Sequence, residues 1–354
     1  MKITTAFLAL IVASSPAMAQ DVRIGVFGLF HPRQFTVSTS AGSALVVHVG
    51  GDSFVLERSS GLNFAQVRFR ADLAVLEIGT RVLRVSEVTV CSRENGPVDF
   101  TLAVPGRITR HYRGRLELKP ASRVLTAVVT MDLETAVASV VAAESTVGAP
   151  AEALQALAVA ARSYFVAGKR RHHDFDFCDT THCQFLKGPP ASSDAASQSA
   201  FATRGLVLAY QSQLVAAMYT RSCSGRTHTS GELGLAAAGY PYYSVECKYC
   251  RQHPSRWQSR LSAEEAATLH ASNEASRLSL DRRIGWGAVP SNSFEMGKEG
   301  EQVILRGMGQ GHGIGLCQAG AKAMAEEGSG FREILAHYYP NTVVVPFEHA
   351  APLP

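Results

Sequence analysis

Beyond its first residues the chain lacks any long apolar run: nothing else approaches the about 20 consecutive apolar residues that a membrane-spanning helix needs. A strong charge of one sign is missing too. The formal charge is only +4 over 354 residues, with RHYRGR and KRRHH as the densest basic clusters. That excess is too weak for a nucleic-acid-binding protein, although it suits an anionic polymer. There is no internal repeat and no low-complexity tract, which argues against a solenoid or a disordered chain. No G-x-S-x-G elbow surrounds Ser222 or Ser224, so the SCSG stretch near His228 is a poor start for a serine hydrolase.

What is present begins with MKITTAFLALIVASSPAMAQ: one lysine, an apolar run of roughly ten residues, and an A-x-A site at Ala17 to Ala19. This pattern predicts a secretory signal peptide over residues 1–19, cleaved near Ala19 and Gln20, and a periplasmic or secreted mature chain without an integral membrane anchor. With 46% hydrophobic residues, that mature chain is able to bury a sizeable core. Seven cysteines make disulfides an option in an oxidising compartment, and the odd number leaves at least one outside any pairing.

From residue 22 to about 122, VRIGVF, FTVSTS, SALVVHV, FVLERS, AQVRFRA, LRVSEVTVC and FTLAV alternate or run with β-branched residues between turn formers, predicting a β-rich N-terminal region over 20–123. RVLTAVVTMDLETAVASVVAAE then passes from strand to helical spacing. Pro150 and Glu152 open an alanine-rich helix, which leaves Glu144 in the connection or at a helix end. Helix is expected over DAASQSAFAT, a strand pair over GLVLAYQSQLVAAMYTRS, and a small helical excursion near 251–300. A strand, a glycine-rich turn and a helix follow in EQVILRGMGQGHGIGLCQAGAKAMAEEG, and FREILAHYYPNTVVV closes as helix, turn and strand. The class is α+β, with residues 124–346 as the mixed core domain and 347–354 as a tail.

Several segments are rich in chemistry. Gly307, Gly309, Gly311, Gly313 and Gly315 alternate around His312, and a G-x-G-x-x-G can be read in them. No second βαβ half follows, so a glycine corridor lining a groove, with His312 and Gln318 facing it, is preferred over a nucleotide site. HHDFDFCDTTHCQF packs His172, His173, Cys178, His182 and Cys183 together, a set able to close on Zn²⁺ or to form a Cys178 to Cys183 disulfide. Cys247 and Cys250 form a C-x-x-C pair for which a disulfide, alone or with Cys223, is the default. On residue types alone, Cys183 or Cys317 with His312 would serve a cysteine peptidase.

Four separated stretches resemble one family. Glu144, Pro150, Glu152, Ala153, Leu154, Ala156, residues 158–162, Ser163 and Tyr164 reproduce an E-x5-P-x-EAL-x-A-x-AVAAR-[ST]-Y pattern. Asp179, Thr180 and Gln184 match D-T-x-x-x-Q. Residues 222–227, with Pro241, Tyr242, Ser244 and Val245, match a serine- and glycine-containing loop and its PYxxSV turn. Residues 309–328 and 338–340 match G-x-GHG-x-G-x-[SC]Q-x-GA and a terminal YYP. In this order the chain resembles the SpoIID/LytB family of peptidoglycan lytic transglycosylases and amidase enhancers over about residues 125–345.

The resemblance implies that Glu144 acts as the catalytic acid and base. It also implies that Arg162, Tyr164, Gln184, Ser224, His312 and Gln318 meet peptidoglycan glycan strands, with the Arg162 fork holding either Glu144 or a muramyl carboxylate. The implied reaction cleaves the bond between N-acetylmuramic acid and N-acetylglucosamine, on peptide-poor strands, and forms a 1,6-anhydro ring. It requires no cofactor. A structural Zn²⁺ on His172, Cys178 and Cys183 is implied as well, since a family member binds zinc through such residues there. Val140, Val141, Ala142, Ala143, Val147 and Gly148 are expected to give Glu144 the apolar setting that keeps it protonatable. The chain departs from the family at Ser145, Ala149, Leu157 and the Ser224–Gly225 pair. Two alternatives accompany this reading: a non-catalytic enhancer with a cell-wall amidase as partner, and a cell-wall cysteine peptidase.

Overall fold

The computed structural model describes residues 20–40, 42–168, 171–236, 239–270 and 273–353; the predicted signal segment lies outside them. The β-rich region forms one curled sheet of twelve strands. Its spine is the long strand Ile108–Ala121, half of which pairs antiparallel with Val98–Val104. The other half lies between Val88–Cys91 and Val124–Asp132. A strand that changes partners midway lets the sheet fold over on itself, so one face closes around Phe35, Phe100, Tyr112 and Leu116. The RHYRGR cluster lies on this strand, and the sequence reading missed it because basic residues hold its outward positions.

Strand Val124–Asp132 pairs with Asp21–Val26 deep in the sheet, so the boundary drawn at 123 passes through a single hydrogen-bonded layer. It leads directly into helix α1 (Leu133–Glu144). The Asp132 carboxylate caps this helix, accepting from the Glu134 and Thr135 amides at 3.0 and 3.1 Å. Helix α2 (Ala151–Ala167) begins just after Pro150 and runs through the core, with Ala156, Ala158, Ala160 and Ala161 fully buried. Alanine at these positions lets α1 and α3 (Ala195–Ala202) pack closely against it. Helices Gln318–Glu326 and Phe331–Tyr338 and strand Leu206–Tyr210 cover other sides of α2.

The excursion is less helical than expected. Strands Arg256–Ser262, Phe294–Glu299 and Gln302–Met308 form an antiparallel sheet beside helices Ala263–Ala267 and Glu274–Ile284. A small core of Leu261, Leu280, Val289 and Leu305 holds it together, and Arg277 is buried between Glu274 and Asp281. Strand Gln302–Met308 was expected, whereas Arg256–Ser262 and Phe294–Glu299 escaped the sequence reading because they bury few side chains. Among the described residues no helix is long and apolar enough to cross a membrane.

Candidate active site

Glu144 is the last residue of α1, where the chain leaves the helix through an extended Ser145. Its Oε1 accepts a hydrogen bond from the Phe185 amide at 2.9 Å. Burial pushes the carboxyl up to about 6, against the lowering effects of the Phe185 amide and the Arg221 guanidinium. The C-terminal end of a helix disfavours an anion further. Tyr219 lies close enough for a charge on Glu144 to act on its hydroxyl, while Arg221 stands exposed on the same strand side. The cover is not the one expected. Val140 and Val141 face the core, Ala142 is exposed and Val147 is 92% exposed, so burial of the carboxyl comes from segments distant in sequence.

Arg162 does not reach Glu144. It is fully buried and forms a fork to Glu134, Nε to Oε1 at 2.9 Å and Nη2 to Oε2 at 2.5 Å. Its remaining N–H groups donate to the Leu206, Ala200 and Ala158 carbonyls at 3.1, 3.1 and 3.5 Å. The guanidinium donors are thereby used within the fold, which corrects the substrate-binding role. Tyr164 is likewise a core residue, its ring against Phe177 and under the Arg171 guanidinium. Gln184, only 3% exposed, donates to the Ala161 carbonyl at 3.4 Å and accepts from the Tyr219 hydroxyl at 3.0 Å. It therefore aims Tyr219 and does not open onto a groove.

His312 also has an internal role. Its Nδ1 accepts from the Ile314 amide at 3.0 Å, a second bond ties it to the Tyr219 main chain, and burial pushes it down to about 4. A neutral ring locked in this way fixes strand Tyr219–Thr220 against the glycine turn. That turn packs on protein along much of its length: a Cβ at Gly311 would meet Thr220 Oγ1 at 2.5 Å, and one at Gly313 would meet His228 at 2.7 Å. Ser224 accepts from the Ser293 hydroxyl at 3.0 Å, tying its loop to the excursion. Gln318 is buried with Oε1 unpartnered, facing a small cavity shared with Ser145, Thr146 and Leu157. Of the six residues expected to bind glycan, it is the one with a buried polar atom left without a partner among the described residues.

His172, Cys178 and Cys183 do converge, joined by His182. His172 Nε2 is 3.3 Å from Cys183 Sγ, and His182 Nδ1 lies 3.7 and 3.6 Å from the two sulfurs. The four ligand atoms lie within 4.8 Å of one another, and both cysteines are free thiols, so the disulfide is not formed. Hydrogen bonding from Cys183 and His182 draws the Cys178 thiol down to about 3. A His₂Cys₂ set with a thiolate fits a tetrahedral ion such as Zn²⁺. His173 points outward, with its side chain 97% exposed. A cavity of about 460 Å³ adjoins the cluster, lined in part by Leu29, Leu125 and Trp286, and lies apart from Glu144. Neither cysteine pairs with His312 as the cysteine-peptidase alternative expected: Cys183 meets His172 and His182 in the metal-ligand cluster, and Cys317 is buried beside Cys250.

Sequence reasoning missed Tyr219, Arg221 and the Phe185 amide. Tyr219 sits three residues before the Ser222 loop, where a period-2 reading would have placed Arg221 beside it. Asp179 is held by the Phe27 amide and Arg110 at 3.1 and 2.8 Å, so the D-T motif anchors the loop carrying Phe185 to the β-rich sheet. The terminal YYP has a similar purpose: Tyr339 donates to the Met218 carbonyl at 2.6 Å and accepts from the Leu316 amide at 3.3 Å.

Residues 121–210, which carry α1, Glu144 and α2, match the family model SpoIID, described as Stage II sporulation protein. The chain is 25% identical to Stage II sporulation protein D of Bacillus amyloliquefaciens over 258 residues, 60% of this chain and 74% of the relative. It is 28% identical to an uncharacterised protein of Brachyspira hyodysenteriae over 269 residues, 67% of this chain and 73% of that one. A shorter stretch of 68 residues is 38% identical to the Amidase enhancer of Bacillus subtilis, covering 19% of this chain and 10% of the enhancer. Over residues 121–210 the chain is therefore similar to the SpoIID family, and the relatives named Stage II sporulation protein D and Amidase enhancer agree with that match.

Proposed function

We propose that the chain is an exported peptidoglycan lytic transglycosylase whose acid and base are one residue, Glu144. The observation that carries this reading is a carboxyl group at a helix C-terminus, raised to about 6 and held by one backbone amide without a paired cation in contact. A group so placed can give up a proton near neutral pH and take one back. Glu144 donates its proton to the glycosidic oxygen as the bond to C1 of N-acetylmuramic acid breaks. The resulting carboxylate then removes the proton of the C6 hydroxyl as that oxygen bonds to C1. Atoms and charge balance without water and without a second carboxylate, in contrast to glycosidases that work with paired acids. Arg221 stands where it can steady the carboxylate formed midway, and Tyr219 where it can hydrogen-bond a sugar.

Zn²⁺ on His172, Cys178, His182 and Cys183 would act as a structural tie, holding the 172–183 segment to the sheet edge at Ile24 and Gly25. Metal analysis before and after chelation tests it, and a metal-free, fully active protein would remove it. The central experiment digests purified sacculi, with and without prior amidase treatment, and seeks 1,6-anhydromuramyl ends by mass spectrometry for the wild type and Glu144→Gln. Anhydro ends from the wild type alone are expected; their absence under every condition would sink the proposal. The similarity to the Amidase enhancer favours a second reading, a glycan-binding partner of a cell-wall amidase. That reading predicts stimulation of an amidase that survives Glu144→Gln.

A further inference from the structure

Four cysteines outside the site meet in the core. Cys223 follows strand Tyr219–Thr220, Cys247 is the N-cap of helix Lys248–Gln252 and Cys250 lies within it, and Cys317 ends strand Leu316–Cys317. All four are buried free thiols whose sulfurs lie within 4.8 Å of one another, with Cys250 and Cys317 at 3.5 Å. We propose that they form a second metal centre, a tetrathiolate site for a structural Zn²⁺ ion.

Disulfides need sulfurs about 2.05 Å apart, whereas four thiolates on one zinc at about 2.3 Å sit about 3.8 Å from each other. The cluster resembles the second arrangement: every sulfur is near three others, where two disulfides would make two separate pairs. The surroundings also suit thiolates. The Cys223 amide donates to Cys317 Sγ at 3.3 Å, and the Tyr338 hydroxyl lies 3.4 Å from Cys247 Sγ. Such outer contacts orient and stabilise metal-bound sulfur. Cys317 is the N-cap of helix Gln318–Glu326, whose positive end favours a thiolate. Gly320 clears the space, since a Cβ there would meet Cys247 Sγ at 2.5 Å. C-x-x-C spacing with two further cysteines is a common way of closing a structural zinc site.

Binding replaces up to four thiol protons with one Zn²⁺, changes no oxidation state and releases those protons to solvent. The ion would tie together the loop after Tyr219 and Arg221, the C-x-x-C turn and the strand preceding Gln318. Thr220 and Cys317 are already partners in the short parallel ladder, so the metal would brace the strand that faces Glu144.

The test is zinc content of the full chain, purified without chelator, measured together with its intact mass after alkylation in denaturant without reductant. Comparing Cys247→Ser/Cys250→Ser with Cys178→Ser separates this site from the histidine-containing cluster. The first variant is expected to carry one zinc fewer than the wild type, and the second is expected to keep the zinc bound here. The wild type is expected to alkylate at all four cysteines once the metal is released. Co²⁺ loaded into the Cys178→Ser chain should give the intense visible bands of tetrahedral thiolate coordination. The proposal is overturned if the wild type resists alkylation and is lighter by two hydrogens per bridge, if iron takes the place of zinc, or if Cys247→Ser/Cys250→Ser retains full zinc. The alkylation measurement decides even where that variant fails to fold.

Discussion

The two ends of helix α1 carry one glutamate each, and they are treated oppositely. Glu134, in the first turn, sits at the favourable end of the helix dipole, grips Arg162 with both oxygens and also accepts from the Gly205 amide at 3.2 Å. Glu144, in the last turn, has the unfavourable end, one backbone amide and a more distant Arg221. The first is a carboxylate held so well that its charge builds the fold, joining α1, α2, α3 and strand Leu206–Tyr210. The second is undersupplied with partners, and burial pushes its carboxyl up to about 6. On the proposed function, full satisfaction marks structure and partial satisfaction marks chemistry, a distinction that residue type alone does not make.

Breaking the chemical end should have the largest effect. Glu144→Gln is expected to lower the rate of anhydro-end formation by about 10²–10⁴-fold, while circular dichroism and the thermal midpoint remain close to wild type. Breaking the structural end should do the reverse. Arg162→Met leaves Glu134 without its fork and is expected to cost about 3–5 kcal/mol in urea unfolding, with activity per folded molecule preserved. If Arg162→Lys unfolded no more easily than wild type yet lost activity, Arg162 would belong with the glycan and the contrast between the two ends would fail. Replacing both partners, Glu134→Leu with Arg162→Met, should cost less than Arg162→Met alone, because no buried charge is left behind.

This contrast explains what was legible in the sequence. The spacing from Glu144 to Tyr164 carried the family resemblance, helical spacing pointed to α1, and Pro150 with the first-turn acid Glu152 placed the start of α2; those are local signals. Which atoms Arg162, Gln184 and His312 touch depends on segments tens of residues away. Arg162 looked like a ligand-binding cation because its partner Glu134 lies 28 residues away, on another helix. Gln184 and His312 turned out to serve Tyr219, a residue with no pattern of its own. The cysteines show the same division. The HHDFDFCDTTHC stretch concentrates five His and Cys donors within twelve residues, four of which converge, and could be read directly, whereas Cys223, Cys247, Cys250 and Cys317 come together only through the folding of three separate segments. Two strands of the excursion, Arg256–Ser262 and Phe294–Glu299, stayed hidden because they bury few side chains and so carry little apolar signal.

A smaller effect concerns pH. The carboxyl of Glu144 rises from 4.5 to about 6 on folding, so the folded chain holds this proton more tightly than the unfolded chain does. Its contribution to stability is therefore complete below the unfolded value and is lost as pH rises through about 6. The shift corresponds to about 2 kcal/mol. Comparing urea unfolding of wild type and Glu144→Gln between these values should show the wild type losing ground as pH rises, and parallel curves would contradict the assignment. Activity should decline over the same rise, as the protonated acid becomes scarce.

The smallest effect should come from Arg221, the cation that partly offsets burial at Glu144. It is exposed, so solvent screens its charge and its influence on the carboxyl is modest. Arg221→Gln removes a charge that lowers the Glu144 value, so the alkaline limb of the pH–rate profile should move upward by less than a unit, with fold stability nearly unchanged. High salt should reproduce part of that shift in the wild type and none in the variant. An unmoved limb would mean that Glu144 is tuned by burial and the Phe185 amide alone, and Arg221 would lose its part in steadying the carboxylate. A downward move would be harder to reconcile with the site: it would require Arg221 to exclude a stronger cation from Glu144, and no other guanidinium among the described residues acts on that carboxyl.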